Sequence, residues 1–384
     1  MMGPVQGGLA EAVRPLLWGT DGGAPDQGAV RDWLLRPGST PVPHRALAAA
    51  LAAAAGRLPV LLFLDGLDQA SEAEREALGR LVEAVCRLDC PVVVLVTARR
   101  ALEDDGGETA VDGLLAGQGE VALRRLEGLG RAELEQLCQQ VLVLHPDAAR
   151  AVARAAAGRP LHAVMSLAAL RAEGALERVD GVHRLSRPMA LPSSLGDVAS
   201  RWLASVFARR ADGPRLRDLA ERLAVLGQGA PFDLAVELGR TAGLGAEVVE
   251  RAIDRLLRLG ILEDARDDAF VIRHPVIWKA LRRQASARTD AAALHLQAAE
   301  AHQRRGGPLT GDEAATVAAH FRAAGRVGRA VEALLEAGQR ARRAGALTRA
   351  SARFARALRW LDQAVDGPHL ALRAEALLGR AEVA

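Results

Sequence analysis

A chain of 384 residues is long enough for two or three domains and a large buried core. Half of it is hydrophobic, yet aromatics are only 3% and tyrosine is absent, so Ala, Leu and Val must build the core, which favours packed helices over a β-sandwich. The net charge of +3 is spread over interleaved Arg and Asp/Glu, which leaves no basic stripe for nucleic acid. In chain order, Leu9 to Trp18 and Pro43 to Gly56 read as Ala- and Leu-rich helical stretches around a Gly/Pro/Asp loop. Pro59-Val60-Leu61-Leu62-Phe63-Leu64 is an uninterrupted apolar run of strand length, ending at Asp65-Gly66-Leu67-Asp68. Such a run predicts a parallel strand with helices on both faces of its sheet, and its C-terminal end is where open α/β sheets place ligands. Ser71-Glu72-Ala73-Glu74 is a capping box opening a helix whose Leu78, Leu81, Val82, Val85 and Leu88 share a face. Pro91 to Thr97 predicts a second buried strand, joined to the first by a right-handed parallel crossover. A third, short strand is expected around Val121 to Leu123.

Helices are expected at Arg131 to Leu144 and Asp147 to Ala157, followed by Gly158-Arg159-Pro160-Leu161, where proline suits a first helical turn. Leu191-Pro192-Ser193-Ser194 marks a junction. Helical patterns at Leu195 to Ala208, Pro214 to Gly227 and Ala246 to Leu259 are followed by a hairpin, Gly260 to Glu263 with Ala269 to Ile272. Helices closed by a hairpin suggest a winged helix, but Glu237, Glu247, Glu250 and Asp254 put acid where phosphates would have to lie. Arg273-His274-Pro275-Val276 comes next. From Asp290 onward the pattern is helical, with Ala-rich helices at Val327 to Ala344 and Thr348 to Leu361. Cys86, Cys90 and Cys138 give neither a disulfide framework nor a zinc spacing, which fits a reduced cytoplasm. No signal peptide or apolar run of membrane-spanning length is present, so a membrane partner is not expected.

Asp65-Gly66-Leu67-Asp68-Gln69 resembles the Walker B box of P-loop NTPases, most closely the Asp-Gly-Leu-Asp-Glu form of NACHT and related STAND signalling ATPases, with Gln69 in place of the last acid. Thr97-Ala98-Arg99 resembles their sensor-1 Thr-Ser-Arg, and Leu126-Glu127-Gly128-Leu129 resembles the start of their helical lid. Gly158-Arg159-Pro160-Leu161 is similar to the Gly-x-Pro-Leu element of that lid, and Arg273-His274-Pro275 to the histidine element after the winged helix. His320 to Gly325 and the helices after it resemble tetratricopeptide-like repeats, although clean 34-residue periods do not align.

The resemblance implies a predominantly helical chain with an N-terminally truncated α/β parallel-sheet NTPase core at residues 1–125. An all-α lid would span 126–190, a winged helix 191–288 and an incomplete helical repeat region 289–384. It implies ATP or ADP with Mg²⁺ as cofactors. Asp65 would hold the metal, and Asp68 would position the attacking water. Arg99 would sense the γ-phosphate, or else be a solvated loop arginine. Pro160 would pack on the base, with Gly158 beside it in the cofactor-binding element, and His274 would contact ADP, or else simply flank a helix begun by Pro275. A P-loop needs Lys-Ser or Lys-Thr after a glycine-rich turn, and the only lysine is Lys279 in a helical pattern. The chain is therefore expected either to begin after its P-loop or to descend from an ATPase that lost it, with impaired or no hydrolysis. The function expected is a nucleotide-dependent regulatory switch that meets a protein partner through its C-terminal repeats, with oligomer formation open. The alternatives are a non-catalytic helical scaffold, or a fragment of a larger transcription regulator or protein kinase.

Overall fold

The structure, a computed structural model, describes residues 44–56, 59–67, 72–88, 91–98, 124, 126–265, 268–305, 311–343, 345–363 and 369–383. Fifteen helices and seven short strands among them make the protein predominantly helical. Its contacts divide into two compact units, Met1–Arg124 with Ala341–Arg349, and Arg125–Arg340 with Ala350–Ala384.

The first unit holds a small α/β element. Helix α1 (His44–Ala55), strand β1 (Val60–Leu64), helix α2 (Glu72–Cys86) and strand β2 (Val92–Val96) follow in order. The strands pair in parallel from Val60 opposite Val92 to Leu64 opposite Val96, as the two apolar runs predict. Leu47, Leu51, Val60, Leu62, Leu81 and Val85 form one core, so α1 and α2 lie on the same face of the sheet. The expectation of helices on both faces does not hold among the described residues. Leu61 (63%), Phe63 (51%), Val93 (61%) and Leu95 (49%) are exposed on the opposite face. An unbroken apolar run predicts a doubly buried strand, but here pairing alternates its residues between a covered and a bare face. The strand expected at Val121 to Leu123, the Ser71 capping residue, Asp68, Gln69, Cys90, Arg99 and the Leu9 to Trp18 stretch lie outside the described residues.

In the second unit, α3 (Arg131–Val141), α4 (Pro146–Ala156) and α5 (Pro160–Glu173) match the expected helices to within a few residues. Helix α4 buries Ala148, Ala149, Val152, Ala153 and Ala156, a small-residue face that lets its neighbours approach closely. The all-α lid needs correction. After α5 the chain forms an antiparallel hairpin, β3 (Leu176–Val179) and β4 (Val182–Leu185), turning at Asp180-Gly181 with φ of 52° and 82°. Two positive φ values in a two-residue loop fit a type I′ turn, for which Asp-Gly is a favoured pair. A bridge from Leu144 to His183 ties the hairpin to the α3–α4 connection.

Helix α5 is buried nearly all round, because Met165 and Ala169 belong to one core and Ala163, Leu167 and Leu170 to another. The first of these cores runs through α6 (Leu195–Ala208), α7 (Gly213–Leu226), β5 (Gly229–Pro231), α8 (Phe232–Thr241), α9 (Ala246–Arg258), β6 (Leu262–Ala265), β7 (Ala269–Ile272) and α10 (Pro275–Ser286). The three strands make one antiparallel sheet in the order β5-β7-β6. The β6–β7 hairpin is where the sequence places it, whereas β5 and α8 are additions. Gly229 allows β5 to join the sheet, since a Cβ there would lie 2.9 Å from Cγ1 of Val271. Helices α11 (Ala291–Arg304), α12 (Gly311–Ala323), α13 (Val327–Arg343), α14 (Leu347–Asp362) and α15 (Leu370–Ala381) complete the chain, close to the expected spans. Phe354 of α14 is fully buried against Gly338 and Gly379, whose added Cβ atoms would stand 2.7 and 2.6 Å from its ring.

Candidate functional site

The strand ends of the first unit carry the most polar chemistry there. Leu64 and Thr97 continue the ladder, with Thr97 N donating to Leu64 O at 2.9 Å and Leu67 N to Thr97 O at 2.8 Å. This extra step brings the side chain of Thr97 to Asp65. The Thr97 hydroxyl donates to Oδ1 of Asp65 and accepts from Gly66 N at 3.0 Å. Gly66 supports the turn with a φ of 78°. Asp65 is exposed, so its carboxylate faces solvent at the C-terminal end of a parallel pair, where strand carboxylates meet ligands in α/β folds. The chemistry is that of a hard oxygen donor held by a hydroxyl, which fits Mg²⁺. Among the described residues no group of three His, Cys, Asp or Glu converges to hold a metal by protein ligands alone.

In the Thr-x-Arg motif, the threonine contacts the acid, and Arg99 lies outside the described residues. The signal was on the page: a hydroxyl directly after a strand that pairs with the Asp65 strand.

Gly158 and Pro160 lie in the second unit. Gly158 has a φ of 86° and follows Ala157 with a φ of 46°, so two left-handed residues end α4. Gly128 sits directly against this turn, where an added Cβ would be 3.0 Å from Cα of Gly158, and Leu129 N donates to Gly158 O at 2.9 Å. Two glycines back to back thus fasten the Glu127-Gly128-Leu129 segment to the turn that starts α5. Pro160 then occupies the first turn of α5, exposed, beside the partly exposed Leu161 and Val164. In the same first turn His162 is buried, with Nε2 3.0 Å from Pro192 O. Burial, aided by Arg159, pushes its pKa down against that backbone hydrogen bond.

His274 precedes α10, with an extended φ of −134° and no side-chain capping bond. Its carbonyl accepts from Ile277 N at 2.9 Å and Trp278 N at 3.1 Å, which is the helix-flank role the sequence left open. Burial and then the neighbouring Arg273 lower its pKa, while Arg273 itself is paired with Glu263 at 3.0 Å. Lys279, the only lysine, is exposed on α10. Cys138 is no nucleophile: burial, then Glu135, pushes its thiol up to about 11.

Sequence reasoning missed one group altogether. His295, His302 and His320 are three of the nine histidines, and they meet between α11 and α12. Their spacing, i and i+7 on one helix with the third on the next, was the available signal. No protein-family model matches the chain, and no curated protein matches it.

Proposed function

We propose that the chain is a nucleotide-responsive regulatory module of the STAND/AAA type, with weak or absent hydrolysis. The observation that carries this reading is the Asp65–Thr97 pair, a carboxylate and a hydroxyl joined at the C-terminal ends of neighbouring parallel strands with Gly66 N completing the set. Asp65 would hold Mg²⁺, which would draw nucleotide phosphates to the strand ends and neutralise their charge. Thr97 keeps the carboxylate oriented.

Calorimetric titration with ATP and ADP in Mg²⁺ tests this. Binding that weakens at least about ten-fold in Asp65→Asn, roughly 1.4 kcal/mol, is expected. No heat at millimolar nucleotide, from protein whose circular dichroism shows its helices intact, would refute it. That result would favour the second reading, a helical scaffold built around the close-packed Gly338, Phe354 and Gly379 array.

A further inference from the structure

The seam between α11 and α12 holds side chains for which the nucleotide reading has no use. His320 of α12 lies between His295 and His302 of α11, its ring centroid 5.3 Å from the first and 6.0 Å from the second. The Nδ1 atoms of His295 and His320 are 3.0 Å apart, a hydrogen bond that requires one ring to donate N–H and the other to offer a lone pair. His302 and His320 are only 8% and 6% exposed. Both ring nitrogens of His302 and Nε2 of His320 are buried without a hydrogen-bond partner. An added proton would therefore create buried N–H groups with no acceptor. Clustered imidazoles first suggest a metal, but the rings do not converge with a third ligand among the described residues.

The surrounding charge opposes protonation of His295 and His320 and is divided at His302. Arg282 of α10 acts on His295 and His320, while Arg305, just beyond α11, and Glu313 of α12 act on His302 with opposite signs. Other charged groups on the packed elements are engaged. Arg222 of α7 bonds Asp218 and Gln297, and Asp233 of α8 pairs with Arg305. Glu300 of α11 pairs with Arg304, and Arg329 of α13 bonds Gln303 and covers the ring of Phe321. Burial is the main reason all three histidines are held below their ordinary range, and His320 is pushed down to about 3.

We propose that this seam is an acid-released joint: neutral imidazoles close α11 on α12, and protonation separates the two helices. Helix α11 is anchored on its other side, since Ala298 and Ala301 belong to the core of α6 to α10. Opening the seam therefore loosens α12 from that core while the core itself persists. The sign follows from linkage. A histidine that is neutral when folded takes up a proton below about pH 6.5 once exposed, so the closed state is fully favoured above that value. Its advantage is lost as pH falls from about 6.5 toward the folded value of about 3 for His320. The proposal is independent of nucleotide binding.

Hydrogen exchange of the full chain between pH 7.5 and 5.5, corrected for intrinsic rates, tests it. Protection factors of α11 and α12 amides should fall about ten-fold per pH unit below 6.5 for each histidine released, with α7 and α9 changing less. The double variant His302→Leu, His320→Leu should flatten that dependence. Protection that is independent of pH, or an equal fall in the variant, overturns the proposal. Should the variant fail to fold, imidazole ¹³C titration of the unaltered chain decides. His320 titrating near 6.5 with the α11–α12 amides still protected overturns it, and titration only as those amides open supports it.

Discussion

Gly158 carries more structural duty than any neighbouring residue, because its φ of 86° and its contact with Gly128 are both closed to a side chain. A Cβ would lie 3.2 Å from Cα of Gly128, and the left-handed backbone would be strained as well. Gly158→Val is expected to destabilise the chain by about 1–3 kcal/mol, read as a lower urea midpoint. An unchanged midpoint would mean that the two glycines touch without constraining one another. At this scale the glycine-proline motif was legible in the sequence, because both residues are chosen by backbone geometry. The Thr97–Asp65 hydrogen bond was not, since it joins residues 32 apart and depends on how two strands align.

Among the elements, α6 shows how a local signal sets a boundary. Ser194 at its N-cap accepts from Asp197 N at 3.1 Å, and its hydroxyl donates to Oδ2 of Asp197 at 2.8 Å. Ser194→Ala should cost about 1 kcal/mol, visible as a lower thermal midpoint, and Ser194→Asp should restore most of it. Equal losses in both would show that the cap is not what holds the helix start. The helix boundaries were readable for the same reason, since caps, Pro at first turns and Gly at ends act within a few residues. The β3–β4 hairpin had an equally local signal in Asp180-Gly181 between Val179 and Val182, but four-residue strands are brief beside the helical pattern around them. Strand β5 had even less to announce it: Gly229, Ala230 and Pro231 form a strand only because β7 is there to pair with.

At the scale of the whole molecule, the described residues leave one apolar sheet face uncovered. Leu61, Phe63, Val93 and Leu95 stand on one side of the β1–β2 sheet, each about half exposed or more. Contiguous exposed apolar surface of this kind promotes association. The combined variant Phe63→Ser, Leu95→Ser should lower the average mass seen by light scattering at high concentration, with little change in the thermal midpoint. A mass that does not move would show that this face is not what drives association. Composition foresaw what the cores are made of. With few aromatics, the cores are built by Ala, Leu and Val, and the closest packing occurs at small residues such as those of α4 and around Phe354.

The sequence by itself determined most of the helices, the two parallel strands and the β6–β7 hairpin, because periodicity, caps and turn residues act over a few positions; α8 was not among them. It also supplied the Asp65, Thr97, Gly158, Pro160 and His274 motifs as residues. The tertiary structure alone decided which face of the β1–β2 sheet is covered, that Thr97 holds Asp65, that Gly128 backs Gly158, and that three histidines share one seam. Each of these is a contact between segments distant in sequence, and it is fixed by which elements pack together rather than by the pattern within any one of them.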